Sequence, residues 1–227
     1  MFEILFLDLD DTILDFHKAE GIALSKTLKQ FGLEPTPEVL ALYSRINKAH
    51  WEALERKELT RAQVLSGRFQ VLFSQMGYTV DAEQVARAYE HNLSIGHYFL
   101  PGAEEAVDAL SKKYRLFLAS NGTASVQKGR MTSANLYRFF EKVFVSQEIG
   151  HNKPSIEYFE ACFAQIPNFD KSKTIMVGDS LTSDILGGIR AGIATCWVNP
   201  GHKDPGDVHP DYEIEALHQL EALLDTL

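Results

Sequence analysis

Two textures alternate along this chain, and that alternation restricts its fold more than any other feature. Short runs rich in β-branched and aromatic residues fall at about residues 3–7, 114–119, 142–145, 174–177 and 195–198, with a weaker sixth at 212–214. Between the second and fifth runs each gap carries helical periodicity, at roughly 124–135, 156–165 and 184–191. Strands separated by helices of this length imply βαβ units, hence an α/β fold with a parallel sheet and helices on both faces. A last helix at about 216–224 would close it. The first gap differs, because residues 15–99 hold no convincing strand while helix punctuation recurs. Gly32 sits where a helix starting near Lys18 would end, and Thr36-Pro37 reads as an N-cap followed by proline at the first helical position. Thr60-Arg61-Ala62-Gln63 is a capping box, Gly77 would end that helix, and Asp81-Ala82-Glu83-Gln84 opens another. Val39, Tyr43, Ile46 and His50 would share one helix face. The pattern predicts a core from residues 1–14 and 100–227 with an inserted, all-helical cap from residues 15–99.

A chain of 227 residues buries a sizeable core, hiding roughly 70% of the surface its unfolded form exposes. No apolar run approaches the ~20 residues that span a bilayer. The N-terminal residues lack the basic region and cleavage site of a signal peptide, so a cytoplasmic location is expected. Cys162 and Cys196 are isolated and read as core thiols. Lys and Arg number 22 against 31 Asp and Glu, a net charge of −9, with no dense basic cluster. Polymeric nucleic acid is therefore not an expected partner. A small anion is compatible with this balance, since one metal or a few placed cations can hold it.

In an open parallel sheet, ligands bind beyond the carboxyl ends of the strands. Strand one runs into Asp8-Leu9-Asp10-Asp11-Thr12, strand two into Ser120-Asn121-Gly122, and strand four into Gly178-Asp179-Ser180, with Asp184 a turn further on. Asn152-Lys153-Pro154 precedes the helix before strand four, so Lys153 reaches the same edge. Each segment alone is ordinary turn, cap or surface chemistry. Together they deliver acids, a hydroxyl and a lysine to one place. Asp8 and Asp10 are two apart and point the same way in extended backbone. With Asp179 they offer oxygen ligands suited to Mg²⁺. A calcium loop counted from Asp8 fails, because its sixth and twelfth positions are Ile13 and Ala19 rather than Gly and Glu.

These four segments resemble the motifs of the haloacid dehalogenase superfamily: Asp-x-Asp-x-Thr, a strand-end Ser or Thr, a Lys, and a late acidic motif. The resemblance spans the chain and implies a Rossmann-like core with a C1-type cap. The string Gly178-Asp179-Ser180-Leu181-Thr182-Ser183-Asp184-Ile185, with Gly187-Gly188, Ala191-Gly192 and Cys196-Trp197, is similar to the branch of bacterial pyrimidine 5'-nucleotidases. That likeness implies Asp8 as nucleophile and Asp10 as the acid and base at the leaving oxygen and the water. It implies Ser120, Lys153 and the backbone amides near Asp11 and Asn121 as phosphate contacts. It further implies Mg²⁺ on Asp8, Asp179 and the Asp10 carbonyl, with Asp184 orienting metal-bound waters or Lys153. The superfamily's dehalogenases lack an acid two residues after the nucleophile, so Asp10 favours phosphoryl transfer. The substrate implied is a small phosphate ester, most simply a pyrimidine nucleoside monophosphate. Phosphoglycolate, a sugar phosphate handled by a phosphatase or mutase, and a non-catalytic phosphate- or metal-binding module are the alternatives. The cap would contact the leaving group, and Tyr43, His50, Trp51, Tyr89, Tyr98 and Phe99 include candidates for stacking a base, although aromatics at helical spacing more often pack a core.

Overall fold

Six strands, Ile4–Leu7 (β1), Arg115–Ser120 (β2), Lys142–Val145 (β3), Thr174–Gly178 (β4), Ala194–Val198 (β5) and Tyr212–Ile214 (β6), form one sheet in the order β3-β2-β1-β4-β5-β6. Every neighbouring pair is parallel. The computed structural model describes residues 1–227. The strands read as continuous apolar runs because both faces of the sheet are covered, as parallel sheets require. Leu5 and Leu7 of β1 pack with Val107, Leu110, Met131 and Leu220 on one face, while Ile4 and Phe6 pack with Tyr158, Phe159 and Ala191 on the other. The first face is covered by helices Ala103–Ser111 (α5), Ala124–Ser133 (α6) and Leu220–Leu224 (α10). The second is covered by Ile156–Phe163 (α8) and Leu186–Ala191 (α9). A short helix, Ser146–Ile149 (α7), follows β3. Gly188 lets α9 lie close to the sheet, since a Cβ there would stand 2.6 Å from the Thr195 methyl. The expected strands and helices are present, and besides the short α7 one longer helix, α5, is an addition. It opens at Gly102 in the left-handed region (φ 72) with no side-chain cap, so the usual Ser, Thr or Asp start signal is missing.

β1 lies between β2 and β4, so the chain first builds outward to β3 and then returns to the other side of β1. This reversal opens a crevice beyond the carboxyl ends of β1 and β4.

The chain divides into two compact units, Met1–Phe16 with His97–Leu227, and His17–Gly96. Leu14 pairs antiparallel with Phe99, so the outgoing and returning segments lie side by side. The second unit is built from helices Phe16–Gln30 (α1), Pro37–Glu55 (α2), Arg61–Met76 (α3) and Ala82–Ser94 (α4). Thr60 and Gln63 form the reciprocal capping box, and Gly77 ends α3 in the left-handed region. Tyr43 and Tyr89 are buried around Phe69, with ring centroids 5.0–5.4 Å apart. They are core of this unit rather than an exposed stacking surface. Trp51 is half-buried, with the Arg61 guanidinium 5.4 Å from its ring. His50 bonds the Ile46 carbonyl at 2.8 Å. A buried polar chain crosses the helices: Arg68 Nη1 donates to Asn47 Oδ1 at 2.9 Å, and Asn47 Nδ2 donates to Glu20 Oε1 at 2.7 Å. Asn47→Ala strips a buried cation and a buried carboxylate of their shared partner, and is expected to cost about 3 kcal/mol in urea unfolding. A cost near zero would show that Arg68 and Glu20 are satisfied without it. No helix is long and apolar enough to cross a membrane.

Candidate active site

The ladder continues one residue past β1, where the Asp8 N–H donates to the Val177 carbonyl at 2.9 Å and fixes Asp8 at the crevice floor. The chain then turns tightly, with Ile13 and Leu14 N–H both donating to the Leu9 carbonyl. Asp11 takes the left-handed conformation (φ 57), which an aspartate tolerates better than most residues. Its N–H donates to the Leu14 carbonyl at 2.8 Å, and its Oδ1 accepts from the Phe16 N–H at 2.9 Å. The Asp11 amide is thus spent on the turn.

Lys153 is fully buried, and its ammonium donates to Asp8 Oδ1, Asp184 Oδ1 and the Ala119 carbonyl, each at 2.6 Å. An ammonium has three protons, and all three are committed. Lys153 therefore stands beside Asp8 as a buried positive charge. Asn121 holds it there: its Oδ1 accepts from the Lys153 N–H and its Nδ2 donates to the Lys153 carbonyl, both at 2.9 Å. The Asn121 side chain is a clamp on Lys153, a role the sequence did not suggest.

Asp179 follows β4, and the Trp197 indole N–H anchors its carbonyl at 2.8 Å. Asp184 projects from a wide turn at Leu181–Ile185 and lies against Gly178, where a Cβ would stand 2.1 Å from Asp184 Oδ2. Only glycine at the end of β4 leaves room for this carboxylate. Oxygen atoms of Asp8, Asp179 and Asp184 all lie within 4.8 Å of one another. Asp184, expected to act from behind the metal ligands, is itself a member of this cluster.

Asp10 turns away from the cluster. Its Oδ1 receives Arg130 Nη1 in an ion pair, and its Oδ2 accepts from Gln127 Nε2 at 2.7 Å. Its side chain is therefore not among the clustered carboxylate oxygens. Gln127 Nε2 also donates to Ser120 Oγ at 2.8 Å, and Arg130 Nη1 donates to Gln127 Oε1 at 3.1 Å. Neither Gln127 nor Arg130 was legible as a site residue. Their spacing of three on α6, one turn beyond Asn121-Gly122, was the available signal.

Charge decides what this site accepts. Arg130 balances Asp10, and Lys153 balances one of the three clustered carboxylates, which leaves two negative charges uncompensated. Three hard oxygen donors with that surplus fit one divalent cation such as Mg²⁺. Without the cation, burial pushes the Asp8 carboxyl up to about 8, with Lys153 opposing and Asp184 and Asp10 adding to the rise. Burial and the neighbouring Asp184 and Asp8 hold Asp179 well above the usual carboxylate range. Burial alone would lower Lys153, but Asp184 and Asp8 outweigh it and keep the ammonium charged.

A carboxyl raised in this way is protonated in the folded protein and ionised in the unfolded chain from about pH 4 to about pH 8. The unfolded state then binds fewer protons, so stability falls as pH rises through that window. A bound dication selects the ionised form and removes the slope. The EDTA-treated protein is expected to melt about 4 °C or more lower at pH 8 than at pH 6, with Mg²⁺ raising Tm more at pH 8. Equal Mg²⁺ shifts at the two pH values would contradict this.

Fold and site together define a hydrolase with an acidic, cation-ready crevice at the switch point of a parallel sheet. Residues 4–198 match the haloacid dehalogenase-like hydrolase model, and the chain belongs to that family. It is 37% identical over 226 residues to the pyrimidine 5'-nucleotidase PynA of Streptococcus pneumoniae, covering 99% of this chain and 95% of that protein. It is 31% identical to the pyrimidine 5'-nucleotidase YjjG of Escherichia coli, covering 97% and 96%. A magnesium-bound crystal structure of the HAD-hydrolase YfnB from Bacillus subtilis superposes with a TM-score of 0.94 at 37% identity, covering 99% of both chains.

Proposed function

We propose that this chain is a Mg²⁺-dependent phosphomonoesterase acting on pyrimidine nucleoside 5'-monophosphates through an aspartyl-phosphate on Asp8. The observation that carries the reading is the gathering of Asp8, Asp179 and Asp184, two of them bonded to Lys153, with Asp10 held separately two residues from Asp8. A site for binding alone needs no second carboxylate kept out of the cation cluster. The nucleotide preference follows the two nucleotidase relatives.

Asp8 attacks phosphorus and forms the acyl phosphate as the ester P–O bond breaks. Asp10 supplies a proton to the departing ribose oxygen. Water then attacks the phosphorus, Asp10 takes its proton, and inorganic phosphate leaves with Asp8 restored. A carboxylate approaching a dianionic phosphate at ~4 Å faces roughly 8 kcal/mol of repulsion at an effective dielectric of ~20, about six powers of ten in rate. Lys153 offsets part of this through its charge. Mg²⁺ held by Asp8, Asp179 and Asp184 would supply the remaining neutralisation of charge on the phosphoryl oxygens.

Phosphate release from UMP, with purine monophosphates, phosphoglycolate and hexose phosphates in parallel, tests the reading. UMP turnover should fall at least about 100-fold in EDTA and return with Mg²⁺. Turnover unaffected by chelation would refute the metal requirement, and preference for phosphoglycolate would refute the nucleotide assignment alone.

A further inference from the structure

Two wholly buried side chains of α6 touch the reaction centre and have no part in the chemistry above. Arg130 and Gln127 are 0% and 1% exposed, three residues apart on one helix face. Arg130 Nη1 reaches both Asp10 Oδ1 and Gln127 Oε1. With its oxygen turned to Arg130, the Gln127 amide has its nitrogen facing Asp10 Oδ2 and Ser120 Oγ, at 2.7 and 2.8 Å. The Gly122 N–H donates to the same Ser120 oxygen at 3.2 Å. A hydroxyl has two lone pairs and one proton, and both lone pairs of Ser120 are occupied. Its proton is left to donate. The arginine thus fixes the orientation of the glutamine amide, which in turn makes Ser120 a donor. Packing reinforces the arrangement: a Cβ on Gly122 would stand 2.4 Å from Gln127 Nε2. Each Asp10 oxygen accepts one of these bonds and keeps a second lone pair for a proton.

We infer that Arg130 and Gln127 are positioning residues that hold the Asp10 carboxylate at the leaving oxygen and orient the Ser120 hydroxyl toward a phosphate oxygen. The inference rests on the phosphatase reading and extends it to two side chains outside the carboxylate cluster.

The test compares kcat/KM for UMP, whose ribose oxygen must be protonated as it leaves, with kcat/KM for p-nitrophenyl phosphate, whose phenolate leaves without a proton. Arg130→Met should lower the UMP value about 100-fold and the aryl value by less than about 10-fold, since proton donation matters only to the former. Arg130→Lys, which keeps a cation beside Asp10, should recover part of the UMP loss. Gln127→Leu should lower both values, by about 10-fold or more, because the phosphate group is common to them. Equal losses on both esters for Arg130→Met, or none on either, would overturn the positioning role. If Arg130→Met does not fold, Arg130→Lys carries the same test, with a smaller loss confined to UMP expected. Wild-type protein inactive on both esters would overturn the phosphatase reading and this one together. Aryl turnover without UMP turnover would overturn only the nucleotide assignment, and glycerol phosphate then takes the place of UMP in the comparison.

Discussion

Asp8→Asn should abolish phosphate release while making the metal-free protein more stable at pH 8. An amide cannot form the acyl phosphate, so kcat on UMP is expected to fall by about 10⁴-fold or more, as when other catalytic nucleophiles are removed. The stability change has a separate cause. Asp8 is a buried acid facing Asp184 and Asp10, and its carboxyl is pushed up to about 8. Asparagine has the same shape, accepts the same bond from Lys153 and carries no charge, so the penalty of ionising this position disappears. The Tm in EDTA at pH 8 should rise above that of the wild type, and the stabilising effect of Mg²⁺ should shrink. Loss of activity with gain of stability is the expected signature of a residue shaped by chemistry rather than by folding. Turnover within tenfold of the wild type would remove Asp8 from its role, and a lowered Tm would contradict the charge argument.

Lys153→Met should damage both stability and catalysis. Lys153 is the one cation bonded to Asp8 and Asp184, and all three of its protons are engaged. Removing it leaves buried carboxylates uncompensated, for an expected loss of about 3–5 kcal/mol in urea unfolding of the EDTA-treated protein near pH 8. Asp8, already raised by burial, takes up a proton at lower pH, so the loss should shrink as pH falls toward 6. On UMP, kcat should drop by at least about 10³-fold, since several kcal/mol of phosphate–carboxylate repulsion then go unopposed. A stability loss below about 1 kcal/mol at pH 8 would show that the carboxylates are not held by this lysine.

Much of this architecture is legible in the sequence. Strands with both faces buried are continuous apolar runs, and Asp8, Ser120 and Asp179 stand at their carboxyl ends, where a parallel sheet places its chemistry. Thr60 with Gln63, and Gly77, marked the ends of α3 because capping depends on local residues. What escaped depends on directions that sequence does not encode. Asp11 and Asn121 lie in the right segments, yet one closes its own turn and the other grips the backbone of Lys153. Tyr43 and Tyr89 were candidates for stacking a base but at helical spacing read first as core, and their burial places them there. Gln127 and Arg130 look like ordinary polar residues of an amphipathic helix. Only the packing of α6 on the sheet turns them inward to Ser120 and Asp10.

The most direct test of covalent chemistry at the crevice is mass spectrometry of protein acid-quenched while turning over UMP with Mg²⁺. The expected result is a peptide spanning residues 8–12 that carries the mass of one phosphoryl group, absent with EDTA and absent in Asp8→Asn. Sustained turnover with no phosphorylated peptide, or with the added mass on a peptide lacking Asp8, would contradict it.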